Sequence, residues 1–141
     1  MITRWDKWFA EENLAQDERI LSAPPSQSVR RAAQTFLERG AHFILDLACG
    51  AGRDTAYLSG CGLDVVGADA AYHGLQAAAR IRSPQAGSLA WANADARGLP
   101  FPAGSFQGVY CFGLLHEFIG ADAAQNVARV MAEITRILSP R

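Results

Sequence analysis

Ile44-Leu45-Asp46-Leu47-Ala48-Cys49-Gly50-Ala51-Gly52 is the stretch on which the fold turns. A short apolar run ends at a carboxylate, and a turn with two glycines follows. Buried parallel strands end this way, and the glycines tolerate positive φ and let the backbone come close to a ligand. The same grammar recurs downstream: Val65-Val66 runs to Asp69, and Leu89-Ala90-Trp91 runs to Asp95. Between these runs, residues 53–59 and 72–82 read as helices, the second with Leu75, Ala78 and Ala79 at helical spacing. Alternating strand and helix predicts a parallel sheet.

Before this core, residues 3–20 are predicted helical, with Trp5, Trp8 and Phe9 near one side and Asp17, Glu18 and Arg19 at the polar end. Aromatics at such spacing are expected to pack into the core rather than to form a lid. A second helix starts from Ser26 or Ser28 as N-cap, carries Val29, Ala32, Ala33, Phe36 and Leu37 on one stripe, and closes at Gly40. After the core, a loop with Pro100, Pro102 and Gly104 leads to a fourth strand over about 106–112. A last helix follows, with Val127, Val130, Met131, Ile134 and Leu138 along one stripe. The expected architecture is α/β and Rossmann-like: a partial doubly wound parallel sheet with two N-terminal helices. It forms one domain over 1–141, divided into a helical segment at 1–40 and the Rossmann-like half at 41–141.

Bulk composition narrows the partners. Half of the 141 residues are apolar, 19% are charged and the net charge is −1, with acids and bases interspersed. No basic patch marks a nucleic-acid or anionic-membrane surface, so the expected partner is a small molecule. Cys49, Cys61 and Cys111 are widely spaced without a CxxC or Cys/His cluster, so no metal site is expected and a reducing cytoplasm fits. No apolar run nears the ~20 residues of a membrane span.

Ligands of open α/β sheets bind beyond the carboxyl ends of the strands. Asp69, after the second strand, suits both hydroxyls of a ribose. Asp95 can accept from an exocyclic amine while the next backbone N–H donates to a ring nitrogen. Three acidic strand ends, Asp46, Asp69 and Asp95, suit an adenosine carrying a positively charged tail. The turn from Gly50 to Thr55 also admits a degraded dinucleotide fingerprint. Thr55 at the third glycine position and the charge of Asp46 beside a pyrophosphate oppose it. His116 and Glu117, after the fourth strand, face the expected substrate pocket, and His116 is the candidate general base. Arg53 and Asp54 either touch the ligand or cap the helix they start, and Cys49 reads as a small residue suited to a tight turn.

Over about 44–140 these motifs resemble the class I S-adenosylmethionine-dependent methyltransferases, particularly small-molecule types similar to the tellurite and thiopurine methyltransferase group. Residues 44–52 resemble the family's first motif and Val65-Val66-Gly67-Ala68-Asp69 its second-strand acidic motif. Asn93-Ala94-Asp95-Ala96 with Leu99-Pro100-Phe101 resembles its adenine motif, and 105–116 its fourth strand and following loop. The resemblance implies that Asp46, Gly50 and Gly52 hold the methionine part of the cofactor, Asp69 the ribose, and Asp95 with Ala96 the adenine. It adds Ala48, Ala70 and Phe112 to the cofactor contacts. It also implies a sheet order of 3-2-1-4 and an acceptor seated against residues 113–118.

Two departures stand out. Ala48 occupies a position where glycine is common, a change expected to leave the turn passable, and Gln107 stands where an acid is common. The family pattern continues past the fourth β-α unit, so the chain is expected to be a truncated version or a fragment. Its fourth strand is then an open edge that self-association into a homodimer would cover. A non-catalytic cofactor-binding or structural remnant, and an NAD(P)-binding domain, stand as the alternative functions.

Overall fold

The computed structural model describes residues 4–11, 22–81 and 86–140. Four parallel strands, β1 (Phe43–Leu47), β2 (Asp64–Asp69), β3 (Leu89–Asn93) and β4 (Gly108–Cys111), form one sheet in the order β3-β2-β1-β4. The expected 3-2-1-4 order holds. β1 is central: Ile44 is in register with Val65 on one side and Gly108 on the other. Its carboxyl end, where the order reverses, is where such sheets bind ligands.

Alternation along the strands sorts side chains onto two faces. Ile44, Val65 and Tyr110 join Val29, Ala33, Leu58 and Leu63 in one core, against α2 (Gln27–Glu38) and α3 (Arg53–Gly60). Leu45 and Leu47 join Phe106, Leu99, Val130 and Ile137 in the other, against α5 (Ala123–Ile137). β1 is therefore covered on both sides, which is why its sequence runs apolar without polar alternation.

Local signals account for α2. Ser26, rather than Ser28, is the N-cap, its Oγ accepting from Val29 N at 3.1 Å. At the other end Gly40 has φ +67°, with Ala41 N bonded to Phe36 O at 2.9 Å and Gly40 N to Leu37 O at 3.1 Å, the paired bonds of a Schellman ending. α4 (Tyr72–Ala78) is shorter than the predicted 72–82, and Arg82 lies outside the described residues. Of the predicted helix at 3–20, α1 (Arg4–Glu11) is described, and Asp17, Glu18 and Arg19 lie outside the described residues. No helix among the described residues is long and apolar enough to cross a membrane.

Two expectations are corrected. Met131 is 47% exposed, while Val130 and Ile137 are the buried residues of α5, because a 15-residue helix against one sheet face buries a narrow stripe. The fourth strand is Gly108–Cys111, preceded by a single bridge at Phe106. Among the described residues Gly108–Cys111 has β1 as its partner strand and keeps its outer edge open, as expected, and outward pairing occurs just ahead of it. Leu138 runs parallel beside Phe106, with Phe106 N donating to Ile137 O at 3.0 Å and Ser139 N to Phe106 O at 2.7 Å. Gln107, at the departing position, closes the start of β1: its Oε1 accepts from His42 N at 2.7 Å and Phe43 N at 3.0 Å.

Phe106 is the anchor of the α5 side, 1% exposed, with its ring 4.9 Å from that of Phe43 and 5.1 Å from that of Phe101. Phe106→Ala is expected to destabilise the chain by about 3–5 kcal/mol, the usual cost of emptying a buried phenylalanine site. Urea unfolding followed by circular dichroism measures it, and a loss under about 1 kcal/mol would show that this core collapses around the gap.

Candidate functional site

Asp46 is the next-to-last residue of β1, 2% exposed, and Thr55 Oγ1, in the first turn of α3, donates to its Oδ2 at 2.6 Å. Burial, with the charges of Asp54 and Asp69 nearby, outweighs that bond and pushes the carboxyl up to about 7. The turn that follows is built from left-handed residues: Gly50 at φ +54°, Gly52 at φ +85° and, between strand and glycines, Ala48 at φ +64°. Ala48 is thus more than a passable substitution, because an L side chain in this region is strained by about 1–2 kcal/mol. Gly52 is needed for space as well, since a Cβ there would lie 2.5 Å from the ring of Trp91.

Asp69, at the end of β2, reaches across to this turn. Its Oδ2 accepts from Gly50 N at 2.8 Å and its Oδ1 from Ala71 N at 2.7 Å, leaving each oxygen a further lone pair. Burial raises its pKa against those bonds. Asp95 differs from the sequence expectation. Arg97 grips both its oxygens, Nη2 to Oδ2 at 2.6 Å and Nε to Oδ1 at 3.0 Å, and holds its pKa down, while the guanidinium lies 6.0 Å from the ring centre of Phe118. Among the described residues, the N–H of Ala96 has no protein acceptor.

These residues share one cleft of about 750 Å³. Ala48, Gly50, Asp69, Ala70, Asp95, Ala96 and Phe112 line it, with His116 and Glu117 after β4. A recess of about 190 Å³ adjoins it through Ala48, Gly50, Phe9 and Phe112, and there Asp46, Gly52, Arg53 and Asp54 are found. Every predicted site residue therefore borders the cleft or its recess. His116 is mostly exposed, its Nε2 3.1 Å from Glu117 Oε1.

Some of the site was not foreseen. Helix α1 closes one side of the cleft with Arg4, Trp5 and Phe9, so Trp5 and Phe9 are not core packing: Trp5 is 40% exposed and Phe9 lies against Gly50 and Gly74, while Trp8 packs edge-on against both rings. Two polar ties hold α1 there. Asp6 Oδ1 accepts from His73 N at 2.9 Å and lies 2.9 Å from His73 Nδ1, and Arg4 pairs with Glu117 at 2.6 Å across the cleft. The odd polar residues of an amphipathic segment were the available signal. Asp54 belongs to a network rather than to a simple cap: Tyr110 Oη and Ser26 Oγ each lie 3.0 Å from its Oδ2, and Ser28 Oγ is 3.2 Å from Tyr110 Oη. Cys49, inside the turn, has its thiol pushed well above the usual range by burial and by Asp46 and Asp69.

Comparison with known proteins bears on this geometry. Residues 45–141 match the model of the methyltransferase domain family. An uncharacterized methyltransferase of Synechocystis is 36% identical over 97 residues, covering 69% of this chain and 42% of that protein. The demethylmenaquinone methyltransferase of Thermus thermophilus is 34% identical over 114 residues, covering 79% and 49%. The crystal structure of an S-adenosylmethionine-dependent methyltransferase from Clostridium acetobutylicum superposes with a TM-score of 0.69 at 17% identity, over 84% of this chain and 48% of that one, a likeness of fold. The chain spans a little under half the length of each of these proteins.

Two outcomes are expected. A folded-state pKa raised from 3.8 to about 7 makes ionised Asp46 a cost of folding that is small below pH 4, grows through that window and levels off above 7. Asp46→Asn, which still accepts from Thr55, should therefore gain stability over the parent with rising pH, reaching a few kcal/mol at pH 8; thermal unfolding at pH 4, 6 and 8 measures it, and a pH-independent difference would refute the buried charge. Ala48→Gly should stabilise by about 0.5–1 kcal/mol, the relieved strain less the added freedom of the unfolded chain. A destabilised Gly variant in urea titration would refute the strain.

Proposed function

The chain belongs to the methyltransferase domain family, and from that premise we propose that residues 1–141 form one domain that binds S-adenosylmethionine and presents its methyl group to a small organic acceptor. The observation that carries this reading is the convergence of three strand ends on one cleft. Asp69 with Ala70, and Asp95 with Ala96, border the same 750 Å³ as the Ala48–Gly50 turn, and Asp46 and Gly52 border its recess.

The residues present suit the cofactor. An Ala96 N–H without a protein acceptor and the free lone pairs of Asp69 are what an adenine ring nitrogen and ribose hydroxyls require. The recess holds Asp46 and Asp54 with Arg53 paired to Asp54 at 3.1 Å, so it offers one acid more than it has bases and suits a group carrying both an ammonium and a carboxylate. It opposes a pyrophosphate and so disfavours the dinucleotide alternative. Asp95 takes four contacts from Arg97, two on each oxygen, so an exocyclic amine would displace part of that grip to reach it.

When bound, the cofactor supplies a methyl on a sulfonium, whose transfer is an in-line displacement: the acceptor–methyl bond forms as the sulfur–methyl bond breaks. The chain's part is to position and to exclude water. Helix α1 covers the cleft through the ties of Asp6 and Arg4. His116, its Nε2 3.1 Å from Glu117 Oε1, is the group on this wall placed to take the acceptor's proton. An acceptor already deprotonated needs no such base. The small-molecule acceptor accords with the resemblance to small-molecule methyltransferases, and a demethylmenaquinone methyltransferase stands among the relatives.

Isothermal titration of the 141-residue chain with S-adenosylhomocysteine, with NAD as control, tests the reading. Binding of the first alone is expected, and Asp69→Ala should weaken it by about 1–3 kcal/mol, the worth of charge-assisted hydrogen bonds to ribose. NAD binding in its place would overturn the cofactor assignment, and unchanged affinity would remove Asp69 from the site.

A further inference from the structure

The wall of the cleft beyond the strand ends is of one chemical kind. Trp5 on α1 and Leu114, Phe118 and Ile119 after β4 line it, and Ile119 is 82% exposed. Trp5 and Phe112, 40% and 56% exposed on the same cleft, join Ile119 in one apolar patch, and such a patch at a cleft mouth marks a surface that a ligand covers. The charged groups on the same wall are already matched. Arg4 is paired with Glu117 and Arg97 with Asp95, each at 2.6 Å, and Asp69 stands besides with backbone partners. Among the described lining residues, neither guanidinium is left for an anionic ligand, and acids outnumber them. A phosphorylated or multiply carboxylated acceptor would have to break an ion pair to find a counter-charge. A cationic one would add to the positive charge of the cofactor.

Resting on the cofactor reading above, we propose that the acceptor end of this cleft takes an uncharged, ring-bearing organic molecule. Its apolar face packs among Trp5, Leu114, Phe118 and Ile119, and its polar end lies toward His116. Aromatic lining favours a ring over a flexible chain, because offset and edge contacts add to the burial. The Arg4–Glu117 pair bridges α1 and the loop after β4, so the two apolar walls are held at one separation.

The test is a two-step titration of the full chain, first with S-adenosylhomocysteine and then with 2-naphthol or 2-naphthyl phosphate as probes. Light scattering is run on each sample. The expected result is naphthol binding to the saturated chain, at least tenfold weaker binding of the phosphate ester, and a fivefold or larger loss of naphthol affinity in Ile119→Asp and in Trp5→Ala. S-adenosylhomocysteine affinity should be unchanged in Ile119→Asp. The exposure of Ile119 keeps its variant foldable. Phosphate ester binding as tight as naphthol, or naphthol affinity untouched by both variants, would overturn the proposal. So would an Ile119→Asp change that dissociates a dimer without altering naphthol binding, which would assign the patch to a second copy. Naphthol binding without S-adenosylhomocysteine binding would overturn the cofactor reading, and with it the role of the bound ring as an acceptor.

Discussion

Asp46 is a carboxylate at the end of the central strand, kept from water and bonded at 2.6 Å to a hydroxyl of the next helix. That bond spans the whole glycine turn, so it fixes where α3 begins relative to β1. Chain path then leaves little choice: Ala48 and the two glycines must turn left-handed to bring Thr55 back over Asp46. The turn so placed offers Gly50 N to Asp69, which ties the ends of β1 and β2 and sets the floor of the cleft. A buried carboxylate with a pKa near neutrality is a poor device for stability. Its retention here is understandable if a cation comes to share the recess.

The other side of the turn is fastened by Asp54, which joins Ser26 of the α2 cap to Tyr110 of β4. One carboxylate thereby couples an N-terminal helix, the helix after β1 and the edge strand. Burial also holds the Tyr110 phenol above its ordinary value, so it remains a donor at neutral pH. The result is a cleft whose floor and one wall are hydrogen-bonded to each other, with α1 tied across it by Asp6 and Arg4.

Most of the fold was legible because its signals are local. Apolar runs ending at Asp46, Asp69 and Asp95 marked strand ends, and Ser26 and Gly40 marked the limits of a helix. What was not legible depends on neighbours far away in the chain. Nothing near Trp5 or Phe9 says that a strand-end loop will leave a gap for them, so helical spacing was read as core. Arg97 was within reach of inspection: at two residues from Asp95 it makes both a backbone and a side-chain bond, a common local turn. Ser28, Asp54 and Tyr110 lie up to 82 residues apart, and their meeting follows from the sheet order alone.

The raised thiol of Cys49 has a practical side. Reaction with peroxide or with an alkylating reagent proceeds through the thiolate, and burial with two nearby acids raises this thiol's pKa and so disfavours that form. The turn that carries the left-handed residues is therefore chemically quiet. The turn thiol should react with an alkylating reagent more slowly than an ordinary exposed thiol.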